Sequence, residues 1–203
     1  NTTAMRKIIK ITVVIGILAF VVIQFFQPAK NTSDDVKNHI FDYFYKFDQD
    51  TYKYLNGGDI SRYFFNWSGQ WLRHGEWLSQ PKDISLFSSP RILVREITSS
   101  YPHCLNSFYL DDVYLNNKSI LNILAKDSDY SLKYLLIILN SSLISFFYIR
   151  RAVKGNRNLF PKVVAEDLKN LPIPKIPPTA QLPLIEKADK MLSLHKTFQE
   201  KKT

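Results

Sequence analysis

Cysteine is all but absent: Cys104 is the only one in 203 residues. A disulfide within the chain, a cysteine-rich zinc site and a two-cysteine haem attachment are therefore excluded. Histidine is scarce too, and His39, His74, His103 and His195 stand at no metal-ligand spacing. His103 precedes Cys104, but adjacency does not make a nucleophile and its base. A buried thiol beside a surface imidazole is the expected arrangement. Glycine numbers six, with no Gly-x-Gly turn to cradle a nucleotide cofactor. No internal repeat is visible.

What is present is positive charge and aromatic surface. Twenty-seven Lys and Arg against eighteen Asp and Glu leave a net +9. A surplus of that size points to a polyanionic partner, nucleic acid or anionic lipid. The excess is uneven: residues 51–160 carry thirteen basic and eight acidic side chains, the first fifty six and five. Aromatic residues make up 14% and interleave with the basic ones in that middle region. Apolar residues at 45% and charged residues at 22% exclude a wholly disordered chain and a polytopic membrane protein. The length suits one compact domain with appendages, or two small domains.

Met5-Arg6-Lys7-Ile8-Ile9-Lys10 is a short basic run, and Ile11 to Phe26 follows without charge. Residues 8–26 come close to the roughly 20 residues that a spanning helix needs. Lys10 can reach the headgroups, and the basic end would stay cytoplasmic. No small-x-small cleavage site follows. The expectation is an uncleaved signal anchor over residues 1–33, a single membrane helix contacting lipid through residues 8–26. Met5 to Ser33, with Val22-Ile23-Gln24-Phe25-Phe26-Gln27-Pro28 leading into Asn31-Thr32-Ser33, resembles the anchor of bacterial membrane-bound haem-binding domains of the cytochrome-c type. That family's Cys-x-x-Cys-His motif is missing, so the resemblance implies an address and no haem. Asn1-Thr2-Thr3-Ala4 ahead of Met5 points to an upstream extension or a fragment. Residues 34–50 read as a linker, a connecting helix or strand pair.

Asn56-Gly57-Gly58-Asp59 and Ser88-Ser89-Pro90 are turn signals. Ile60 to Trp77 reads as short strands and turns, and Arg91 to Ile97 as a central strand. Phe108 to Leu115 and Ser119 to Leu124 look extended. Asp129 to Leu139 and Leu143 to Arg150 read as a central helix pair broken at Asn140-Ser141, two residues suited to capping. Leu171-Pro172-Ile173-Pro174-Lys175-Ile176-Pro177-Pro178 can be neither helix nor central strand. A helix from Thr179 to about Lys201 follows. The expected fold is α/β (α+β), with a body over residues 51–170 and a proline connector plus C-terminal helix over 171–203.

The order of features carries a second resemblance. Gly57-Gly58-Asp59-Ile60-x-Arg62-Tyr63 comes first, then Phe87-x-x-Pro90-Arg91-Ile92-Leu93-Val94-Arg95. Tyr134-Leu135-Leu136-x-x-Leu139-Asn140-Ser141 follows, then Leu171-Pro172-Ile173-Pro174 and a helix with Gln181 near its start. From about Tyr52 to Leu194 the series resembles the TaqI-like C-terminal specificity domain of bacterial restriction-modification enzymes. The resemblance implies a target-recognition module. Its partners would be double-stranded DNA and an adenine-specific methyltransferase or nuclease domain or subunit.

The chain has no catalytic residues of its own to offer. An amino-methylating DNA enzyme needs an Asn/Asp/Ser-Pro-Pro-aromatic loop, and the only Pro-Pro, Pro177-Pro178, lies between Ile176 and Thr179. Asp111-Asp112 lacks a following Glu-x-Lys strand and reads as a solvated turn. No cofactor or metal is implied. Phosphates call for Lys and Arg, and base edges for Arg, Asn and Gln. The candidates are Arg62, Gln70 and Arg73 among the aromatics, and Arg150, Arg151, Lys154, Asn156, Arg157 and Asn158 in one loop. Arg91 and Arg95 alternate on a strand and read as partners of carboxylates. The alternatives are a membrane-anchored envelope protein that does not bind DNA, and a mosaic reading frame without intact function. The location is membrane-anchored if the anchor operates, cytoplasmic if the specificity reading holds and the anchor is a fusion artefact.

Overall fold

The computed structural model describes residues 21–22, 42–76, 78, 81–125, 129–151 and 162–201. Ten strands, five α-helices and one 3-10 turn alternate along them. The strands are β1 Val21–Val22, β2 Asp42–Tyr43, β3 Thr51–Leu55, β4 Ile60–Ser61 and β5 Phe64–Phe65. They continue with β6 Trp71–Arg73, β7 Arg91–Arg95, β8 Ser107–Leu110, β9 Leu115–Asn116 and β10 Ile120–Leu124. The helices are α1 Ser85–Ser88, α2 Leu132–Leu139, α3 Ser142–Arg151, α4 Ala165–Lys169 and α5 Pro178–Glu200.

The main sheet has the order β1-β10-β7-β8, antiparallel throughout. Its centre is β7, read from its run of aliphatic residues. Ile92 and Val94 pack with Leu121 and Ile123 of β10 under the helices, while Leu93 faces Leu55, Ile60 and Leu110. A strand covered on both faces needs a near-continuous apolar run, and Ile92, Leu93 and Val94 are all fully buried. Each such side chain contributes about 1.5–3 kcal/mol relative to exposure. A second sheet, β2-β6-β3-β9, is antiparallel except where β3 runs parallel to β9. β4 and β5 form a separate hairpin.

The helix pair forms where expected. Ser131 caps α2 by accepting from the Lys133 amide at 3.3 Å, and the Ser141 hydroxyl accepts from the Ile144 amide at 3.2 Å. The two helices meet at 68°. Leu132, Tyr134, Leu135, Leu136 and Leu139 of α2 and Ile144 and Tyr148 of α3 bury one face against the sheet. Asn140 does more than end α2. Its Oδ1 accepts from the Ser107 amide at 3.1 Å and its Nδ2 donates to the Ser107 carbonyl at 3.0 Å. The side chain thus completes β8 as a further strand would.

The proline connector is packed into the core: Leu171 and Ile173 are buried, and the Tyr134 hydroxyl donates to the Pro174 carbonyl at 2.8 Å. α5 then crosses α2. Buried Gln181 accepts from the Ser131 amide at 3.0 Å and donates to the Asp129 carbonyl at 2.7 Å, with Lys133–Asp189 at 2.6 Å further along.

Two expectations are altered. Of the membrane helix at residues 8–26, only Val21 and Val22 are among the described residues, and they are extended. They pair with Ile123 and Asn122, because β10 would otherwise present an open edge of amides and carbonyls. The remainder of that stretch lies outside the described residues. Among those described, no single helix is long and apolar enough to cross a membrane. Within the stretch read as a linker, Asp42 and Tyr43 pair with Leu72 and Trp71 of β6.

Candidate nucleic-acid interface

α3 has two unlike faces. On the inner one, the Ser145 hydroxyl accepts from the Cys104 amide at 3.0 Å. The Tyr148 hydroxyl lies 3.2 Å from the Lys162 carbonyl and 3.5 Å from Asp167 Oδ2. These bonds fix the helix's rotation. Leu143, Phe146, Arg150 and Arg151 consequently point to solvent. Arg150 lies over the Phe146 ring at 4.6 Å and Arg151 over Phe147 at 5.1 Å, both at the i,i+4 spacing that brings helix neighbours together. Stacking on an aromatic ring holds a guanidinium without using its donors, which remain available to an anion. Neither arginine is within ion-pair distance of a carboxylate among the described residues.

The other candidates are dispersed. Arg62 sits at the tip of the β4–β5 hairpin, lies 5.6 Å from the Tyr63 ring and donates to the Asn140 carbonyl at 3.4 Å. Gln70 precedes β6, and its Oε1 accepts from Asn56 Nδ2 at 2.6 Å. Arg73 ends β6 and pairs with Asp48 at 2.6 Å. The Thr51 hydroxyl, and after it Arg73, hold the Asp48 carboxyl below its ordinary value. Lys154, Asn156, Arg157 and Asn158 lie outside the described residues. The structure therefore shows Arg150 and Arg151 together, and Arg62, Gln70 and Arg73 on separate elements with partners of their own.

Arg91 departs from the expectation of a carboxylate partner. It is completely buried, and its guanidinium donates to backbone carbonyls instead. These belong to Phe87, to Ser89 and Asp112 at 3.2 Å each, and to Tyr114 at 2.7 Å. Burial pulls its pKa down to about 10, which leaves it charged at neutral pH. Arg91 is a clamp joining the end of α1 to the Asp112–Tyr114 segment. Asp111 and Asp112 are exposed, as a solvated turn should be. Cys104 is buried, and burial pushes its thiol pKa up, away from nucleophile chemistry. Among the described residues no group of three or more His, Cys, Asp or Glu could hold a metal ion.

The sequence motifs have structural reasons. At Gly57 a Cβ would lie 2.8 Å from the Ser119 hydroxyl and 3.0 Å from its carbonyl, so only glycine fits. Asp59 accepts from the Asn56 amide at 2.8 Å and closes the turn. His195, which the sequence reading left without a role, stacks on the Tyr63 ring with centroids 6.0 Å apart and on Phe64 at 5.4 Å. Its partners lie far off in the sequence, and no local spacing could have marked the contact.

Comparison with known proteins agrees with this order of motifs. Over 93 residues, 45% of the chain, it is 32% identical to a putative type II restriction enzyme and methyltransferase of Methanocaldococcus jannaschii. The match spans 8% of that protein's length. The family model described as the TaqI-like C-terminal specificity domain matches residues 52–173, from the start of β3 to the connector that follows α4, and to that family the chain belongs.

Proposed function

We propose that the chain is the DNA-binding specificity module of a restriction-modification system. It would select the site on which an adenine-specific methyltransferase or endonuclease acts, with the catalytic groups supplied by a joined domain or subunit. The single observation carrying this beyond family membership is the outer face of α3. Two exposed arginines there are braced on phenylalanine rings, next to a segment whose sequence adds Lys154 and Arg157. Phosphate contacts place such a module on the duplex, and Arg, Asn and Gln read base edges.

The test is duplex binding as a function of salt. The chain should bind a mixed-sequence duplex with affinity that falls steeply as salt rises, and replacing Arg150, Arg151, Lys154 and Arg157 together by alanine should flatten that dependence. Every phosphate left without its cationic partner lowers the log–log slope by roughly 0.9 on B-DNA. Unchanged binding by a folded quadruple variant would remove this face from the interface. Arginines near a helix C-terminus also favour the helix dipole by about 0.3–1 kcal/mol each, so melting must be measured beside binding.

A further inference from the structure

A cavity of about 580 Å³ opens between the β4–β5 hairpin, the end of β8 and the last turns of α5. Much of its lining is aromatic. Phe65 meets Phe108 at 5.0 Å between ring centroids and Tyr114 at 5.3 Å, edge to face. Tyr63 and Phe64 add two more rings, fastened to α5 by the stack on His195. α5 itself contributes Leu192, Lys196, Gln199 and Glu200, whose spacing places them on one helix face. These contacts fix the walls before anything enters.

The charge of the cavity runs against that of the chain. Asp111, Asp112 and Glu200 bring carboxylates to it against one cation, Lys196, in a chain of net +9. All four side chains are exposed, and none is within ion-pair distance of an opposite charge among the described residues. Arg91 holds the Asp111–Asp112 turn in place through the Asp112 and Tyr114 carbonyls, at 3.2 and 2.7 Å. Asp112 Oδ1 accepts from the Val113 amide at 2.7 Å. Glu200 ends α5, where the helix carbonyls add negative potential of their own. Carboxylates beside aromatic faces repel a phosphodiester and attract a cation. The chain uses the same pairing next door, where the Lys53 ammonium lies over the Tyr114 ring at 5.1 Å and the Trp67 ring at 5.4 Å.

We propose that this cavity is a docking site for an arginine side chain of a protein partner. Resting on the reading of the chain as a DNA-specificity module, that partner is the domain or subunit that carries the catalytic groups. Arginine suits the cavity better than lysine. Its guanidinium is planar and weakly hydrated, stacks on aromatic faces and forks onto carboxylates. Its methylene stem can lie along Leu192 and the phenylalanine rings while the charge meets Asp111 and Asp112. An arginine seated in a desolvated aromatic pocket is the kind of anchor that dominates protein interfaces. The division of charge keeps the two partners apart: arginines on α3 face phosphates, and carboxylates at the end of β8 face a cation.

The experiment follows the ring resonances of Phe64, Phe65 and Phe108 in the full chain as N-acetyl-arginine methylamide is added. The neutral citrulline counterpart and deoxyadenosine are run beside it. Arginine should shift the rings saturably, and citrulline should bind about tenfold more weakly, as loss of a charged hydrogen bond does. Asp111→Asn with Asp112→Asn should weaken arginine binding by a similar factor, while Lys196→Ala should strengthen it. All three positions are exposed, so these variants keep the fold. Weaker binding in Lys196→Ala, equal binding of arginine and citrulline, or shifts with deoxyadenosine alone would each overturn the proposal. Salt-dependent duplex binding is measured on the same samples, and the Asp111→Asn, Asp112→Asn variant should not weaken it. If the duplex binds while arginine does not, the docking site is overturned and the DNA reading stands. If arginine binds while the duplex does not, the DNA reading fails and the docking site stands, for a protein partner of another kind.

Discussion

Two arginine sites show how differently one side chain is used here. Arg91, at the start of β7, is sealed from water and surrounded by four carbonyls. Arg150 and Arg151, at the end of α3, stand in solvent on two phenylalanine rings. The first charge is tolerable only because those carbonyls replace its hydration. The second pair keeps its hydration and its donors. What separates a buried clamp from a binding surface is therefore the surroundings of the guanidinium, and these depend on which strand faces are covered.

The strongest way to break the comparison is to empty the buried site. Arg91→Ala leaves several interior carbonyls unpaired, at about 1–3 kcal/mol for each that water cannot reach, for a total of about 3–5 kcal/mol. Urea unfolding should show this loss, and a variant within 1 kcal/mol of the parent on the same measurement would mean that the carbonyls find other partners. Asn140→Ala tests the other interior device, the carboxamide that completes β8. It should cost about 1–3 kcal/mol, because the Ser107 amide loses its partner while the Ser107 carbonyl keeps only the Tyr63 amide. Asn140→Asp keeps only the acceptor and should recover part of that.

A smaller effect is expected at Tyr148. Burial first, and then Asp167, raise its pKa, so the folded chain holds the phenol neutral. The sign follows: its contribution is intact below the unfolded phenol value of about 10 and declines as pH rises above it, toward the raised folded value. Tyr148→Phe should unfold less steeply above about pH 10, at a cost near 1 kcal/mol at neutral pH. An alkaline unfolding curve identical to the parent's would assign that sensitivity to other tyrosines. The smallest effect on stability belongs to the surface pair. Arg150→Ala with Arg151→Ala should change the unfolding free energy by about 1 kcal/mol or less while duplex affinity drops. A large stability loss with unaltered affinity would make the pair structural, like Arg91.

Much of the fold was legible because it follows from local rules. The aliphatic run at β7, the polar break at Asn140-Ser141 and the proline connector each announce themselves in a few residues. What stayed hidden depends on distant partners. Asn140 was readable as a helix terminator, but its pairing with Ser107 joins residues far apart in sequence. Gln181 stood out by position, yet its bonds to Ser131 and Asp129 needed α5 to be laid across α2. Arg91 looked like a carboxylate partner because sequence cannot show that both faces of β7 are covered. Among the candidate DNA-binding residues, Arg150 and Arg151 were visible as an uncompensated basic pair, whereas the phenylalanine rings that brace them emerge only from helical periodicity in three dimensions.

α5 is fastened near both ends. Gln181 locks it to the start of α2, and His195 is gripped by Tyr63 and Phe64. Between these fastenings lies a continuous helical interval of about 21 Å at 1.5 Å per residue. The helix therefore works as a gauge block, setting the distance and angle between the helical layer and the hairpin tip. Lengthening it by one residue would advance the far fastening by only about 1.5 Å but swing it by about 100°. His195 would then leave the aromatic stack altogether. This interval is consequently one where sequence can drift at exposed positions while its length cannot.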